Sequence, residues 1–153
     1  MRHPQAYGLF SNFWEDAMPD MGSTELTMLW ASVLLGIVYL LASVLASVAG
    51  RGMPWAMGAR DGAWPELGKV GARLERAWRN FTETFPLFAA AILIEAQIAP
   101  DSELAPLGAQ LYFWGRVAFL PLYALGLPLV RTLAWTVSLA GIALVLISCL
   151  PGV

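Results

Sequence analysis

A short run of polar side chains interrupts an otherwise apolar segment near the middle of the chain. Arg76, Arg79, Asn80 and Glu83 stand at positions i, i+3, i+4 and i+7, which is the spacing of one helix face. Arg79 and Glu83 are four residues apart and are expected to pair within the helix. Because guanidinium groups bind carboxylates through two parallel hydrogen bonds, this stripe predicts a site for a small ligand that carries carboxylates.

Two later segments supply further polar residues of matching spacing. Arg116 and Tyr123 are seven residues apart and share a helix face, and Arg131 with Thr132 opens the last apolar segment. Arginine outnumbers glutamate in the whole set, so the predicted pocket is positive. The competing interpretation is structural: the arginines extend to the membrane surface as anchors, and Glu83 only neutralises one of them for packing.

The segments that position these residues are long enough and apolar enough to cross a membrane. Residues 26–50 and 132–153 contain no charged residue, and at about 1.5 Å per residue each reaches roughly the 30 Å thickness of a hydrocarbon core. The two segments between them are too apolar for solvated helices and too charged to face lipid on all sides, so they belong inside a helix bundle. The sequence therefore predicts an all-α integral membrane protein, a four-helix bundle with helices at about 25–50, 73–98, 103–126 and 129–150.

Composition supports this class and disfavours several others. Of 153 residues 58% are hydrophobic and 13% are charged, against about 25% charged in a typical soluble domain. The net charge of −2 gives no electrostatic reason to expect nucleic acid as a partner. The only histidine is His3 and the only cysteine is Cys149, so the sequence predicts no metal site and no disulfide.

The connections predict helix order and orientation. Breaks at Pro100–Ser102 and at Gly126–Pro128 are short and favour antiparallel neighbours, whereas the loop from Gly50 to Gly71 is long. That loop carries Arg51, Arg60 and Lys69, with Arg73 at its edge, whereas the loop around Pro100 carries no basic residue. This bias predicts that the long loop lies in the cytoplasm and both termini lie in the periplasm. Residues 1–24 lack the features of a signal peptide and are expected to form a loosely ordered tail, which leaves 25–153 as the membrane domain.

Three motifs in this order resemble the MAPEG superfamily, the membrane-associated proteins in eicosanoid and glutathione metabolism. They are RAWRNFTETFP, then GRVAFLPLY, then RTLAW, and the resemblance covers about residues 24–150. It implies a bacterial inner-membrane homotrimer of four-helix subunits, with glutathione bound between neighbouring subunits near the cytoplasmic side.

The resemblance also assigns roles to individual residues. It implies that Arg131 stabilises the glutathione thiolate, with Thr132 beside it, and that Tyr123 lines the site. It also implies a contribution from an arginine at the end of the first helix, for which Arg51 is the candidate. The remaining residues expected to contact glutathione are Arg76, Arg79, Asn80 and Glu83, and the pocket as predicted from spacing also includes Arg116.

Two positions depart from the enzymes of that family. Phe119 stands where they often carry His or Tyr, and Trp135 stands where the prostaglandin synthase has Tyr. A prostaglandin-type isomerase is therefore disfavoured, whereas transfer of glutathione to lipophilic electrophiles, or reduction of lipid hydroperoxides, remains the leading expectation. The alternatives are a non-catalytic subunit or scaffold of a larger membrane complex, and a protein that binds lipid or glutathione without turnover.

Overall fold

The computed structural model describes residues 23–59 and 65–151, and every regular element in this part of the chain is a helix. Most of the predicted N-terminal tail, loop residues 60–64 and the last two residues lie outside the described residues. The helices are α1 (Thr24–Arg51), α2 (Met53–Met57), α3 (Lys69–Ile98), α4 (Ala105–Leu125) and α5 (Pro128–Ser148).

Three of the described helices, α1, α3 and α5, are long and apolar enough to cross a membrane. The predictions of an all-helical fold and of membrane-spanning helices are confirmed to that extent. The segment expected as the third span, which is α4, is not among the three. Its mean hydropathy is lowered by Gln110 and Arg116 and by the prolines and glycines in its sequence.

Helix α1 buries its small and polar residues and exposes its large apolar ones. Ser32, Gly36, Tyr39 and Ser43 are buried against the other helices, while leucines such as Leu45, which is 66% exposed, point outward. A soluble helix has the opposite arrangement. Small residues at helix contacts and apolar residues at the outer surface are typical of helices packed within a bilayer.

Helices α4 and α5 form the most closely packed pair. An ideal Cβ atom built on Gly108 would lie 2.7 Å from the carbonyl oxygen of Gly141, so the two backbones touch at this point. The connection between the helices is equally tight. Gly126 adopts a left-handed conformation with φ of 78°, its N–H donates to the carbonyls of Leu122 and Tyr123, and α5 begins two residues later.

Contacts at one end of the molecule bring three helix termini together. The guanidinium of Arg51, the last residue of α1, pairs with Glu75 near the start of α3. Arg73, also near the start of α3, donates to the carbonyl oxygen of Ala124 near the end of α4 at 3.1 Å. We call this the basic end, because Arg51, Arg73 and Arg131 all lie there.

We predict that Gly108→Ala lowers the free energy of unfolding by about 1–3 kcal/mol, because the added methyl group forces two helix backbones apart. Gly68→Ala is the matched control, since a Cβ atom on Gly68 meets no atom within 4 Å. Thermal unfolding of the detergent-purified variants measures the difference. Equal melting temperatures for the two variants would contradict the close α4–α5 contact.

Candidate functional site

The four polar residues that the sequence singles out on α3 lie on one broad side of the helix. At about 100° per residue, Arg76 and Glu83 lie at the centre of one side, Arg79 lies at one edge of it and Asn80 lies at the other. Arg76 and Glu83 are exposed, and Arg79 is exposed as well. We call these three residues the charged ridge of α3. The predicted stripe is therefore one helix face, but in the single chain this face points outward.

The ridge does not form the internal pair that its spacing suggests. In the described part of the chain one ion pair is present, between Arg51 and Glu75, and none joins Arg79 to Glu83. Arg79, at one edge of the ridge, lines one cleft, and Asn80, beyond its other edge, lines a second. Within the single chain these four side chains therefore do not share one cavity, and their joint role in binding glutathione stays a prediction.

The first cleft, the α3–α5 cleft, lies at the basic end between α3, α4 and α5. Its volume is about 170 Å³, and it brings together several of the residues that the sequence predicts. The Arg131 guanidinium carbon lies 4.3 Å from the centre of the Tyr123 ring, which is the distance of a cation–π contact. The cleft is lined by Asn80, Phe119, Tyr123, Arg131, Thr132 and Trp135.

The chemistry of this cleft is that of a site for an anion. Among the described residues that line it, Arg131 is the only charged one and none is a carboxylate that could neutralise the guanidinium. The Thr132 hydroxyl donates to the carbonyl oxygen of Pro128 at 2.8 Å, so its oxygen remains available as an acceptor. Phe119 and Trp135 add two aromatic side chains to the lining. A small anion or a thiolate is the group that this arrangement favours.

Arg116 lies elsewhere than predicted. The sequence places it in the ligand pocket, but its side chain is 0% exposed, inside the packed helices, and it lines neither cleft. One guanidinium nitrogen, Nη1, donates to Asn80 Oδ1 at 2.7 Å, and the ring centres of Tyr112 and Phe119 lie 5.5 Å and 5.4 Å from its Cζ atom. Arg116 therefore acts on the cleft indirectly, by fixing Asn80.

The second cleft, the α1–α3 cleft, lies on the other side of the ridge and has a volume of about 620 Å³. Arg51, predicted as a ligand-binding residue, is part of it. The Arg51 guanidinium contacts both oxygens of Glu75 and donates to Ser47 Oγ at 2.8 Å and to the Pro65 carbonyl oxygen at 3.2 Å. It also lies 4.7 Å above the ring of Trp55 in α2.

Glu75 is a functional candidate that the sequence reasoning missed. Glu75, Trp78, Arg79 and Thr82 all line the α1–α3 cleft. Their spacing of i, i+3, i+4 and i+7 is the same signal that identified the neighbouring stripe, shifted by one residue. Spacing within α3 was therefore sufficient to find this face. The spacing within α3 does not, however, predict the contact between Glu75 and Arg51, which are 24 residues apart in sequence.

An apolar groove continues from the α1–α3 cleft along α1 and α3. It has a volume of about 300 Å³ and shares Trp78 and Thr82 with the cleft. The rest of its lining is aliphatic and aromatic, with Ile37, Leu40 and Phe85 among its residues. A charged cleft and an apolar groove thus adjoin on the same side of the molecule, as a ligand with both characters requires.

We predict that Asn80→Leu lowers the free energy of unfolding by about 2 kcal/mol or more, because it removes the side-chain acceptor of a fully buried guanidinium. Asn80→Asp, which keeps an acceptor and adds a counter-charge, is expected to unfold at or above the wild-type temperature. Combining Asn80→Leu with Arg116→Met is expected to cost less than the sum of the single changes, since no unpaired charge remains. Additive losses in chemical unfolding would contradict the pairing.

Comparison with known proteins identifies one family. A family model described as the MAPEG family matches residues 28–151, a range that contains all of α3, α4 and α5 and nearly all of α1. No curated protein and no solved structure matches the chain.

Proposed function

The chain belongs to the MAPEG family, and from this premise we propose that it is a glutathione-binding membrane protein that acts on lipophilic molecules. The reaction is transfer of glutathione to a lipophilic electrophile or reduction of a lipid hydroperoxide. The observation that carries the proposal is the α3–α5 cleft, where Arg131 lies beside Tyr123 and Asn80 and no carboxylate is among the described lining residues. We place the protein in a bacterial inner membrane, with the basic end in the cytoplasm.

The active unit is a homotrimer of four-helix subunits. Each charge facing lipid at membrane depth costs about 2.5–3.5 kcal/mol on insertion scales, and the ridge of α3 exposes Arg76, Arg79 and Glu83 in the single chain. Burial of this ridge against neighbouring subunits removes that cost. It also allows the α1–α3 cleft of one subunit to face the α3–α5 cleft of the next, so that one glutathione contacts residues from both clefts.

Arg131 is the catalytic residue of this proposal. A cation beside a thiol stabilises the thiolate, which is the nucleophile in glutathione chemistry. In transfer to a chlorinated aromatic ring, the thiolate sulfur forms the new bond to carbon and chloride leaves with the electron pair of the broken bond. Tyr123 holds the guanidinium in place through the ring contact, while Arg51, Arg76, Arg79, Asn80, Glu83 and Thr132 hold the peptide.

The second substrate enters from the bilayer through the apolar groove. The groove adjoins the charged cleft and is lined by α1 and α3. The outer surface of α1 is apolar and meets lipid, so a lipophilic molecule reaches the groove without crossing water. Hydrophobic burial in the groove and charge in the clefts then select for a lipophilic electrophile and for glutathione respectively.

We predict that Arg131→Gln reduces glutathione conjugation of a chlorinated aromatic by at least about 100-fold, because the thiolate loses its stabilising charge. The ultraviolet absorbance of bound thiolate is expected to fall in parallel. Lys69→Gln, which removes a positive charge from the same end of the molecule outside both clefts, is the matched control and is expected to retain wild-type turnover.

Glutathione binding and turnover that survive Arg131→Gln would remove Arg131 from the mechanism. A wild-type protein that binds no glutathione would remove the enzymatic proposal altogether. One observation favours an alternative, a non-catalytic subunit of a larger membrane complex: Phe119 and Trp135, which line the cleft with Arg131, supply no acid or base. Co-purification with a larger complex, together with absent glutathione binding, would support that alternative.

A further inference from the structure

Two glutamates are buried at the end of the molecule opposite the basic end. Glu25, in the first turn of α1, is 7% exposed, and Glu95, in the last turn of α3, is 2% exposed. The residues near them in sequence pack together, since Leu26 lies against the core cluster that contains Ile92. The two carboxylates are also close enough to repel each other electrostatically. We call Glu25 and Glu95 the acidic pair.

The acidic pair has no counter-charge among the described residues. The ion pair found in this part of the chain joins Arg51 to Glu75, at the basic end. Oxygen Oε1 of Glu95 is buried, and it accepts no hydrogen bond from any described residue. Burial of two ionised carboxylates in this situation is strongly destabilising, because each loses its hydration and repels the other. The pair is therefore expected to take up a positive charge from solution.

The elements around the pair do not supply that charge. Between α3 and α4 the chain adds two further acids, Asp101 and Glu103, and both are exposed. In α4 the charged residue is Arg116, which lies eleven residues beyond the first residue of the helix, or about 16 Å along its axis. The titratable group that the end of α5 contributes is the thiol of Cys149.

A proton is the cation that suits the acidic pair. A metal ion requires about four to eight ligands, and the part of the chain that the structure describes holds no cluster of three or more His, Cys, Asp and Glu side chains. A proton needs a single carboxylate oxygen. The buried and unpartnered Oε1 of Glu95 is such an oxygen.

The positions of the two acids in their helices indicate which of them carries the proton. The N-terminus of a helix has a partial positive charge that favours a carboxylate, and the C-terminus has a partial negative charge that disfavours one. Glu25 lies at the N-terminus of α1, whereas Glu95 lies at the C-terminus of α3. Glu25 is therefore expected to stay ionised, and Glu95 is expected to be the neutral acid.

We infer that the acidic pair binds one proton in the folded protein, that Glu95 carries it, and that its loss forces the adjoining ends of α1 and α3 apart. Binding forms an O–H bond between a proton from solution and a carboxylate oxygen of Glu95, and it removes one of two like charges. The contact between the two helices is thus sensitive to pH. Because α1 and α3 also line the apolar groove, this contact regulates how firmly the two sides of the groove are held together.

The first test detects the proton directly. Full-length protein is purified in a detergent without ester groups, and wild type is expected to show the infrared band of one protonated carboxyl group at neutral pH. The band is expected to be lost in Glu95→Gln. It is expected to remain in Glu103→Gln, the matched control, which removes an exposed acid from the same end. In Glu25→Gln, where the repelling charge is gone, it is expected to vanish about one pH unit or more below the wild-type value.

The second test follows stability with pH. The unfolded chain loses its glutamate protons above about pH 4.3, whereas the folded protein keeps one, so stability falls as the pH rises until the pair ionises. Relative to Glu95→Gln, whose amide does not ionise, the melting temperature of wild type is expected to fall by about 3–5 °C per pH unit in that range. Glu103→Gln is expected to follow wild type.

Several results would overturn the inference. They include a wild-type spectrum without the protonated band at neutral pH, and a band that Glu95→Gln leaves in place. A band that vanishes at the same pH in wild type and in Glu25→Gln would mean that the two acids do not act as a pair. A calcium-dependent rise in melting temperature that Glu95→Gln abolishes would identify a metal ion in place of the proton. None of these measurements uses glutathione, so the proposed function is tested separately.

Discussion

The cost of placing charge in hydrocarbon is the constraint on which this structure depends. Helix α3 carries polar residues on several sides, and only part of its circumference is covered within one chain. Its apolar side, with Ala77, Phe81 and Phe88, packs into the core, and Glu75 and Asn80 line clefts on either side of the ridge. The ridge of Arg76, Arg79 and Glu83 is exposed in the single chain. In the proposed trimer a neighbouring subunit covers it, which links the chemistry of the site to assembly.

Asn80 connects the site to the core. It lines the α3–α5 cleft and also accepts the hydrogen bond of Arg116, whose side chain is fully buried. The carbonyl oxygen of Arg116 in turn accepts a hydrogen bond from the Tyr39 hydroxyl at 2.7 Å, which ties α1 to the same point. Because one polar chain runs from α1 through α4 to α3, the position of the cleft wall is set by interior packing.

Much of the helical pattern follows from the sequence, because long uncharged runs and Gly–Pro breaks have few alternatives. The short helix α2 and the direction in which the polar stripe faces do not follow from it, since both depend on neighbours. Helical periodicity places Arg76, Arg79, Asn80 and Glu83 on one face, but it does not predict which neighbouring helix or subunit packs against that face. The same limit explains why the sequence misplaced Arg116: helical spacing is the same for a residue that lines a pocket and for one buried between helices. It also explains why Glu75 was missed, since its partner Arg51 lies on the far side of a long loop.

The glycine contacts between α4 and α5 have a mechanical consequence for the cleft. With their backbones touching at Gly108 and Gly141 and a left-handed turn at Gly126, the two helices form a single stiff unit. Tyr123 and Arg131 stand on either side of that turn, so their relative position is preserved when the surroundings shift. Any widening of the α3–α5 cleft to admit or release a molecule must therefore come from displacement of α3, while α4 and α5 keep their relative position.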